Sequence, residues 1–286
     1  MYCDPDIIVA SFAGARRSDH IWEILVAHRA GAEAWSAPGG RVGVLLCHGL
    51  TGSPASLRPM AQTFAGAGHR VELPLLPGHG TRWQDLQQTR WPDWFGEVES
   101  SFGRLRQECD DVFVVGLSMG GALALRLAQT RGDDVSGVVV VNPSVHSRNK
   151  MLPLLPALRH IISAVPGISN DIKRTGQDEV AYDRLPLQAM YSLTKFWGIV
   201  RDDLTRVTQP LLVFGSVEDH VVEPSNALEV LEQTSSEDCS FVALQNSYHV
   251  ATLDNDADLI SNDCLDFFDR IAKPRSSDPA SESLNS

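Results

Sequence analysis

The chain has 286 residues, 43% of them hydrophobic and 21% charged, which suits one large α/β domain able to bury its own core without disulfide staples. Its 36 acidic against 24 basic residues give a net charge of -12, which excludes a nucleic-acid surface built on clustered Lys and Arg and speaks against electrostatic docking on anionic lipid. The five cysteines (Cys3, Cys47, Cys109, Cys239 and Cys264) are scattered, odd in number and free of any CxxC pair, so reduced thiols in a cytoplasmic protein are expected.

In chain order, the opening Met1-Tyr2-Cys3-Asp4-Pro5-Asp6 lacks a basic region, and the apolar run that follows is too short for a signal sequence. No stretch approaches the about 20 apolar residues of a membrane-spanning helix. Residues 1–33 read as an N-terminal appendage with a short helix around Ile21 to Ala30. From 34 to 273 short apolar runs alternate with helix-length segments, the mark of a mostly parallel, doubly wound sheet buried on both faces. Strands are expected at Val42 to Cys47, Val112 to Val115, Val138 to Val141 and Leu211 to Phe214, with weaker ones at Arg70 to Leu75 and Phe241 to Leu244. Helices are expected at Pro54 to Ala67, Trp91 to Gln107, Met119 to Thr130, Pro224 to Gln233 and Asp256 to Ile271. The rhythm stops between about 144 and 208, where Pro153, Pro156, Pro166 and Pro186 interrupt apolar clusters; this reads as a helical insertion over the sheet. Residues 274–286, polar and rich in Ser, read as a disordered tail.

The sharpest chemical signal is Gly116-Leu117-Ser118-Met119-Gly120-Gly121, between the run Val112 to Val115 and a helix. A Gly-x-Ser-x-Gly pentapeptide is weak alone, but strand, motif and helix together describe a nucleophile elbow. The serine must sit on a strained turn to project its oxygen above the sheet, and glycine lets the neighbouring backbone pack closely enough. A serine hydroxyl needs a base, and the base needs an orienting acid. Among the downstream histidines, His249 stands after the last expected strand, at the edge where ligands of open α/β sheets bind. His146 and His160 fall in the insertion, and His220 directly follows the acidic pair Glu218-Asp219. Of that pair the turn favours Asp219, though spacing alone leaves Glu218 open as well. Two backbone N–H groups must meet the developing oxyanion: that of Met119, and one from Cys47-His48-Gly49-Leu50-Thr51-Gly52-Ser53-Pro54, where Leu50 is the natural donor. His48 and His79 suit bracing roles in their loops. No histidine or carboxylate spacing suggests a metal site, and no glycine-rich phosphate loop suggests a nucleotide, so no cofactor is expected.

These blocks, with Leu75-Leu76-Pro77-Gly78-His79-Gly80-Thr81, Glu218-Asp219-His220-Val221-Val222 and Ser247-Tyr248-His249-Val250, resemble the α/β-hydrolase superfamily over roughly residues 40 to 272. The resemblance is nearest to small bacterial carboxylesterases and monoacylglycerol lipases. It implies Ser118, Asp219 and His249 as a catalytic triad, Leu50 and Met119 as oxyanion donors, and the insertion as a small cap. Those enzymes often carry an aromatic where this chain has Leu50; the donor is backbone, so the change bears on the acyl pocket wall. The implied reaction is hydrolysis of short- to medium-chain acyl esters, monoacylglycerols included, with an acyl-thioesterase the alternative in the same class. A ligand-binding protein on a hydrolase scaffold is the alternative outside it, disfavoured because every catalytic part is present. The apolar residues Met151, Leu152, Leu154, Leu155, Leu158, Ile161 and Ile162 are the expected wall for the acyl chain.

Overall fold

A computed structural model describes residues 28–272. The helix expected around 21–30 and the tail from 274 lie almost wholly outside these residues. Seven strands form one sheet in the order β1 (Trp35–Ala37), β3 (Arg70–Leu73), β2 (Val42–Cys47), β4 (Asp111–Leu117), β5 (Gly137–Val141), β8 (Leu211–Ser216) and β9 (Cys239–Leu244). All neighbours pair in parallel except β1, which runs antiparallel on the edge beside β3. That edge strand has no clear signal in the sequence, because three residues show no periodicity.

Period-two alternation sends each central strand to both faces. Leu45, Cys47, Val112, Val114, Val138, Val140, Leu211 and Val213 pack towards one face, under helices α3 (Trp91–Glu108), α4 (Met119–Arg131) and α6 (Leu187–Asp202). Val44, Leu46, Phe113, Val115, Val139, Val141, Leu212 and Phe214 pack towards the other, under α1 (Arg58–Gly66) and α8 (Ala257–Ile271). β4 and β5 are therefore buried along their whole length, which is why they read as continuous apolar runs. The expected helix at Pro54 begins as a 3-10 turn, Pro54–Ser56, whose first N–H groups are capped by Ser53 Oγ at 3.3 Å from Ala55 N. A one-turn helix α2 (Trp83–Leu86) follows β3, and α7 (Ser225–Gln233), between β8 and β9 in the chain, packs Ala227 and Val230 on the same face as α3, α4 and α6.

Between β5 and β8 the chain leaves the sheet. It contains a short helix α5 (Leu155–Leu158) and α6, but also an antiparallel pair, β6 (Ala164–Pro166) with β7 (Arg184–Pro186), that the helical expectation did not include. Prolines at the ends of both short strands suppress any strand signal there. At the N-terminal side, Arg29 donates its N–H to Gly80 O (2.7 Å) and its guanidinium to Ala181 O (2.6 Å), and Ala32 is fully buried. The described part of the expected appendage is thus tied to the domain.

Candidate active site

β4 delivers Ser118 to the carboxyl edge of the sheet, next to the point where strand order reverses between β2 and β4. Ser118 is the residue between β4 and α4 and has φ 58° and ψ -120°, a conformation that costs a non-glycine residue about 1–3 kcal/mol. The surrounding packing enforces it. A Cβ at Gly116 would overlap the backbone of Gly120 and Gly121, and one at Gly120 would overlap the Cys47 carbonyl. The two glycines let β4, α4 and the end of β2 approach backbone to backbone. The Ser118 N–H is held by Val141 O at 3.0 Å, and Ser118 O accepts from Gly121 and Ser144.

His249 follows β9 in a loop whose carbonyls are gripped from the sheet. Asn142 donates to His249 O (2.8 Å), and Ser216 Oγ donates to Tyr248 O (2.9 Å). The His249 Nδ1–H donates to Asp219 Oδ2 at 2.8 Å, and both side chains are nearly inaccessible, 8% and 2% exposed. Asp219 Oδ1 in turn accepts the N–H groups of Val221 and Val222, each at 2.8 Å. Burial alone lowers the His249 pKa, but the charge and hydrogen bond of Asp219, with Glu179 and Asp171 further away, outweigh it and hold the imidazole above its ordinary value. Glu218, by contrast, is 54% exposed and near Lys173 at 3.5 Å. Of the two acids the sequence offered, the fold pairs Asp219 with His249.

Ser118 and His249 line one cavity of about 350 Å³, together with Gly49, Leu50 and Thr51 of the loop after β2. No hydrogen bond joins Ser118 Oγ to the imidazole among the described residues; such bonds are often long in unliganded sites and tighten around substrate. The N–H groups of Leu50 and Met119 find no protein acceptor among the described residues, the condition required of oxyanion donors. Gly49 brings that loop against the serine: a Cβ there would sit 3.3 Å from Ser118 Cβ.

His48 and His79 are structural. Leu76 N–H donates to His48 Nε2 (3.2 Å), so the His48 proton is on Nδ1, which donates to Gly49 O (2.9 Å). Full burial pushes the His48 pKa down to about 4, keeping the ring neutral. The two rings meet edge to face at 4.9 Å. His220 is half exposed and bonds Asp171 at 2.8 Å. His146 also lines the cavity, but its ring is held by Ser225 (3.2 Å) and Glu229 (3.4 Å).

The expected acyl wall needs correcting. Met151, Leu154, Ile161 and Ile162 are 40–82% exposed, and none of the seven expected residues lines the cavity. They follow one another in helical turns whose inner face is Leu152 and Leu155, and the exposed apolar positions, Met151, Leu154, Ile161 and Ile162, point outward. The apolar wall comes instead from the β6–β7 pair (Val165, Leu185) and Ile168 just beyond β6, α6 (Met190, Leu193, Trp197), and Val221, Val222 and Val250. Glu179 was also missed. It lines the cavity, is nine-tenths buried, and sits beside Val180, whose φ of 54° is costly for a β-branched residue. Its carboxylate accepts the Asn170 N–H at 2.7 Å, its carbonyl accepts Ser53 Oγ–H at 2.9 Å, and burial raises its pKa. An acidic pair, Asp178-Glu179, inside the insertion carries no sequence signal, and only its contacts with Asn170 and Ser53 hold Glu179 at the cavity.

A family model described as Hydrolase_4, serine aminopeptidase S33, matches residues 40–256. The chain belongs to this family. Within it, the thermostable monoacylglycerol lipase of Bacillus sp. (strain H-257) is 41% identical over 246 residues, covering 85% of this chain and 96% of that protein. The carboxylesterase of Bacillus subtilis (strain 168) is 24% identical, over 82% of this chain and 94% of its own. Among solved structures, one from the metagenome-derived lipolytic enzymes LipS and LipT superposes with a TM-score of 0.83 at 37% identity, over 85% of this chain and 100% of that one. The monoacylglycerol lipase of Paleococcus ferrophilus shares the fold at a TM-score of 0.70 and 19% identity. This Hydrolase_4 member has the α/β-hydrolase fold. Among the described residues, no helix is long and apolar enough to cross a membrane.

Proposed function

We propose that this hydrolase cleaves carboxylic esters of short- to medium-chain acyl groups, monoacylglycerols among them, through an acyl-enzyme on Ser118. The observation that carries the proposal is the buried His249–Asp219 hydrogen bond of 2.8 Å, on the wall of the cavity that Ser118 also lines. Ser118 Oγ attacks the ester carbonyl carbon while His249 Nε2 takes its proton. The oxyanion is held by the N–H groups of Leu50 and Met119, and Asp219 stabilises the imidazolium. Collapse breaks the carbonyl–alkoxy bond, and the proton on His249 passes to the departing alcohol. Water, deprotonated by His249, then attacks the acyl-enzyme and releases the acid and free Ser118.

The Bacillus relatives, a monoacylglycerol lipase and a carboxylesterase, support the ester as substrate. The cavity of about 350 Å³ lies near the lower end of the ~300–1,000 Å³ seen for small-ligand sites, which fits a modest acyl chain. Apolar residues from 165 to 197 receive that chain, with residues 144–208 acting as the cap. Glu179, which lines the cavity together with the polar Ser144 and Thr51, accepts hydrogen bonds from free hydroxyls of a glycerol leaving group. The four described cysteines are free thiols, which fits a reducing, cytoplasmic setting.

The family description favours a second reading, hydrolysis of an N-terminal peptide bond by the same triad. It requires an ionised acid to hold an α-ammonium group. Of the cavity's carboxylates, Asp171 is already engaged by three donors and Glu179 accepts the Asn170 N–H, and both Bacillus relatives are named as ester hydrolases, so the ester reading is preferred. The test sets p-nitrophenyl esters and monoacylglycerols beside thioesters and aminoacyl p-nitroanilides, for wild type and Ser118→Ala. Ester turnover that disappears with Ser118→Ala, and fluorophosphonate labelling at Ser118, are expected. Full activity in Ser118→Ala refutes the proposal, and anilides turned over better than esters transfer it to the second reading.

A further inference from the structure

The His249 peptide is held from two sides. Its carbonyl is bound from the sheet by Asn142, at the end of β5. Its N–H is bound from the cap: Asp171 Oδ2 accepts it at 3.1 Å. The same carboxylate accepts the His220 N–H (3.3 Å, Oδ2) and the His220 Nδ1–H (2.8 Å, Oδ1), and the Asp171 carbonyl accepts the Val250 N–H at 3.1 Å. The Asp171 side chain is only 11% exposed. A second buried carboxylate completes the clasp. Asp254 accepts the N–H groups of Lys173 (2.7 Å) and Arg174 (2.8 Å) from the cap, and that of Tyr248 (2.9 Å) from the histidine loop.

We infer that Asp171 is a positioning residue for His249, so that the cap, besides covering the substrate, fixes the loop that carries the general base. The inference rests on the proton-carrying role proposed for His249. The geometry explains why a residue of the cap should matter to the relay. Asp219 fixes the ring through Nδ1, but the height of the ring over Ser118 depends on where the backbone of His249 lies. With its carbonyl tied to β5 and its N–H tied to Asp171, that backbone cannot rotate. Releasing the N–H lets the loop shift, and a displacement of about 1 Å in a reacting group can cost around 100-fold in rate.

Three carboxylates act on the His249 ring: Asp219 in contact, with Glu179 and Asp171 further away. His220 faces Asp171 and Glu218, the latter at 3.6 Å. Asparagine at 171 keeps an oxygen for the His249 N–H but removes one negative charge facing the imidazole. That lowers the His249 pKa and moves the acid limb of kcat/KM to lower pH.

The test compares wild type, Asp171→Ala, Asp171→Asn and His249→Ala by kcat, KM, pH profile and Tm with a p-nitrophenyl ester. Asp171→Ala is expected to lose about tenfold or more in kcat with KM within about twofold. Asp171→Asn is expected to keep kcat within about threefold, with its acid limb displaced downward. A kcat for Asp171→Ala within threefold of wild type, a loss confined to KM, or an unmoved acid limb in Asp171→Asn overturns the inference. Should Asp171→Ala fail to fold, the acid limb of Asp171→Asn decides. His249→Ala separates the two proposals. If it retains wild-type activity, the role of His249 falls first; if it is inactive while both Asp171 variants behave as wild type, the positioning role alone falls.

Discussion

Replacing Asp219 by Asn probes the proposed relay with almost no change of shape. Oδ1 of Asp219 accepts two backbone N–H groups, from Val221 and Val222, so the asparagine carbonyl must stay on that side. Its NH₂ group is then forced against His249 Nδ1, where Asp219 Oδ2 stood at 2.8 Å. A donor facing Nδ1 requires a lone pair there, which places the ring proton on Nε2 and leaves no acceptor for the Ser118 proton. The charge that steadies the imidazolium is lost as well. At 2.8 Å and an effective dielectric constant near 20, that attraction is about 6 kcal/mol. Spent wholly on the transition state, it is worth roughly four decades in kcat, the size seen when the orienting acid of the serine-protease template is made an amide. Asp219 does not line the cavity, so KM should stay within about twofold. Steady-state turnover of a p-nitrophenyl ester measures both, with circular dichroism to check the fold. Glu218→Gln is the control: this exposed residue should leave kcat within about twofold. A kcat for Asp219→Asn within tenfold of wild type, or a larger loss in Glu218→Gln, would refute the reasoning.

Because His249, as the proposed general base, must be neutral to accept a proton and its pKa is raised, kcat/KM should fall as pH drops, with the midpoint above the ordinary histidine value of about 6.5. A pH–rate profile with its acid limb at or below that value counts against the Asp219 partnership. Glu179→Gln should raise KM for monoacylglycerols about fivefold, the worth of roughly one hydrogen bond, while leaving p-nitrophenyl esters within about twofold; equal effects on both classes would remove Glu179 from the alcohol side. Burial pushes the Cys47 thiol up to about 12 and raises those of Cys264, Cys109 and Cys239 too, but of the described cysteines only Cys239 is exposed. Iodoacetamide at neutral pH should therefore modify Cys239 first among the described cysteines and spare activity, as peptide mapping with a parallel assay would show.

Local order decides how much of this protein is legible before it folds. The central strands declare themselves because each apolar residue of β4 and β5 meets one core layer or the other, so Val112 to Val115 and Val138 to Val141 carry no polar interruption. The elbow declares itself because Gly116 and Gly120 answer a steric demand within five residues of chain, and His249 because it follows the last strand at the sheet's carboxyl edge. The choice between Glu218 and Asp219 is a different matter. Adjacent carboxylates look alike in sequence, and only the turn that presents Asp219 to Val221 and Val222 turns one towards the histidine. The walls of the cavity belong wholly to the tertiary structure. Ser53 meets Glu179 across 126 residues of chain and Asp171 meets His249 across 78, contacts that no window of local periodicity spans. The residues 151–162 illustrate the limit from the other side. Their apolar pattern is real, but which face of a helical turn looks inward depends on what packs against it, and there Leu155 is buried and Leu152 packs against the core while Met151, Leu154, Ile161 and Ile162 stay exposed.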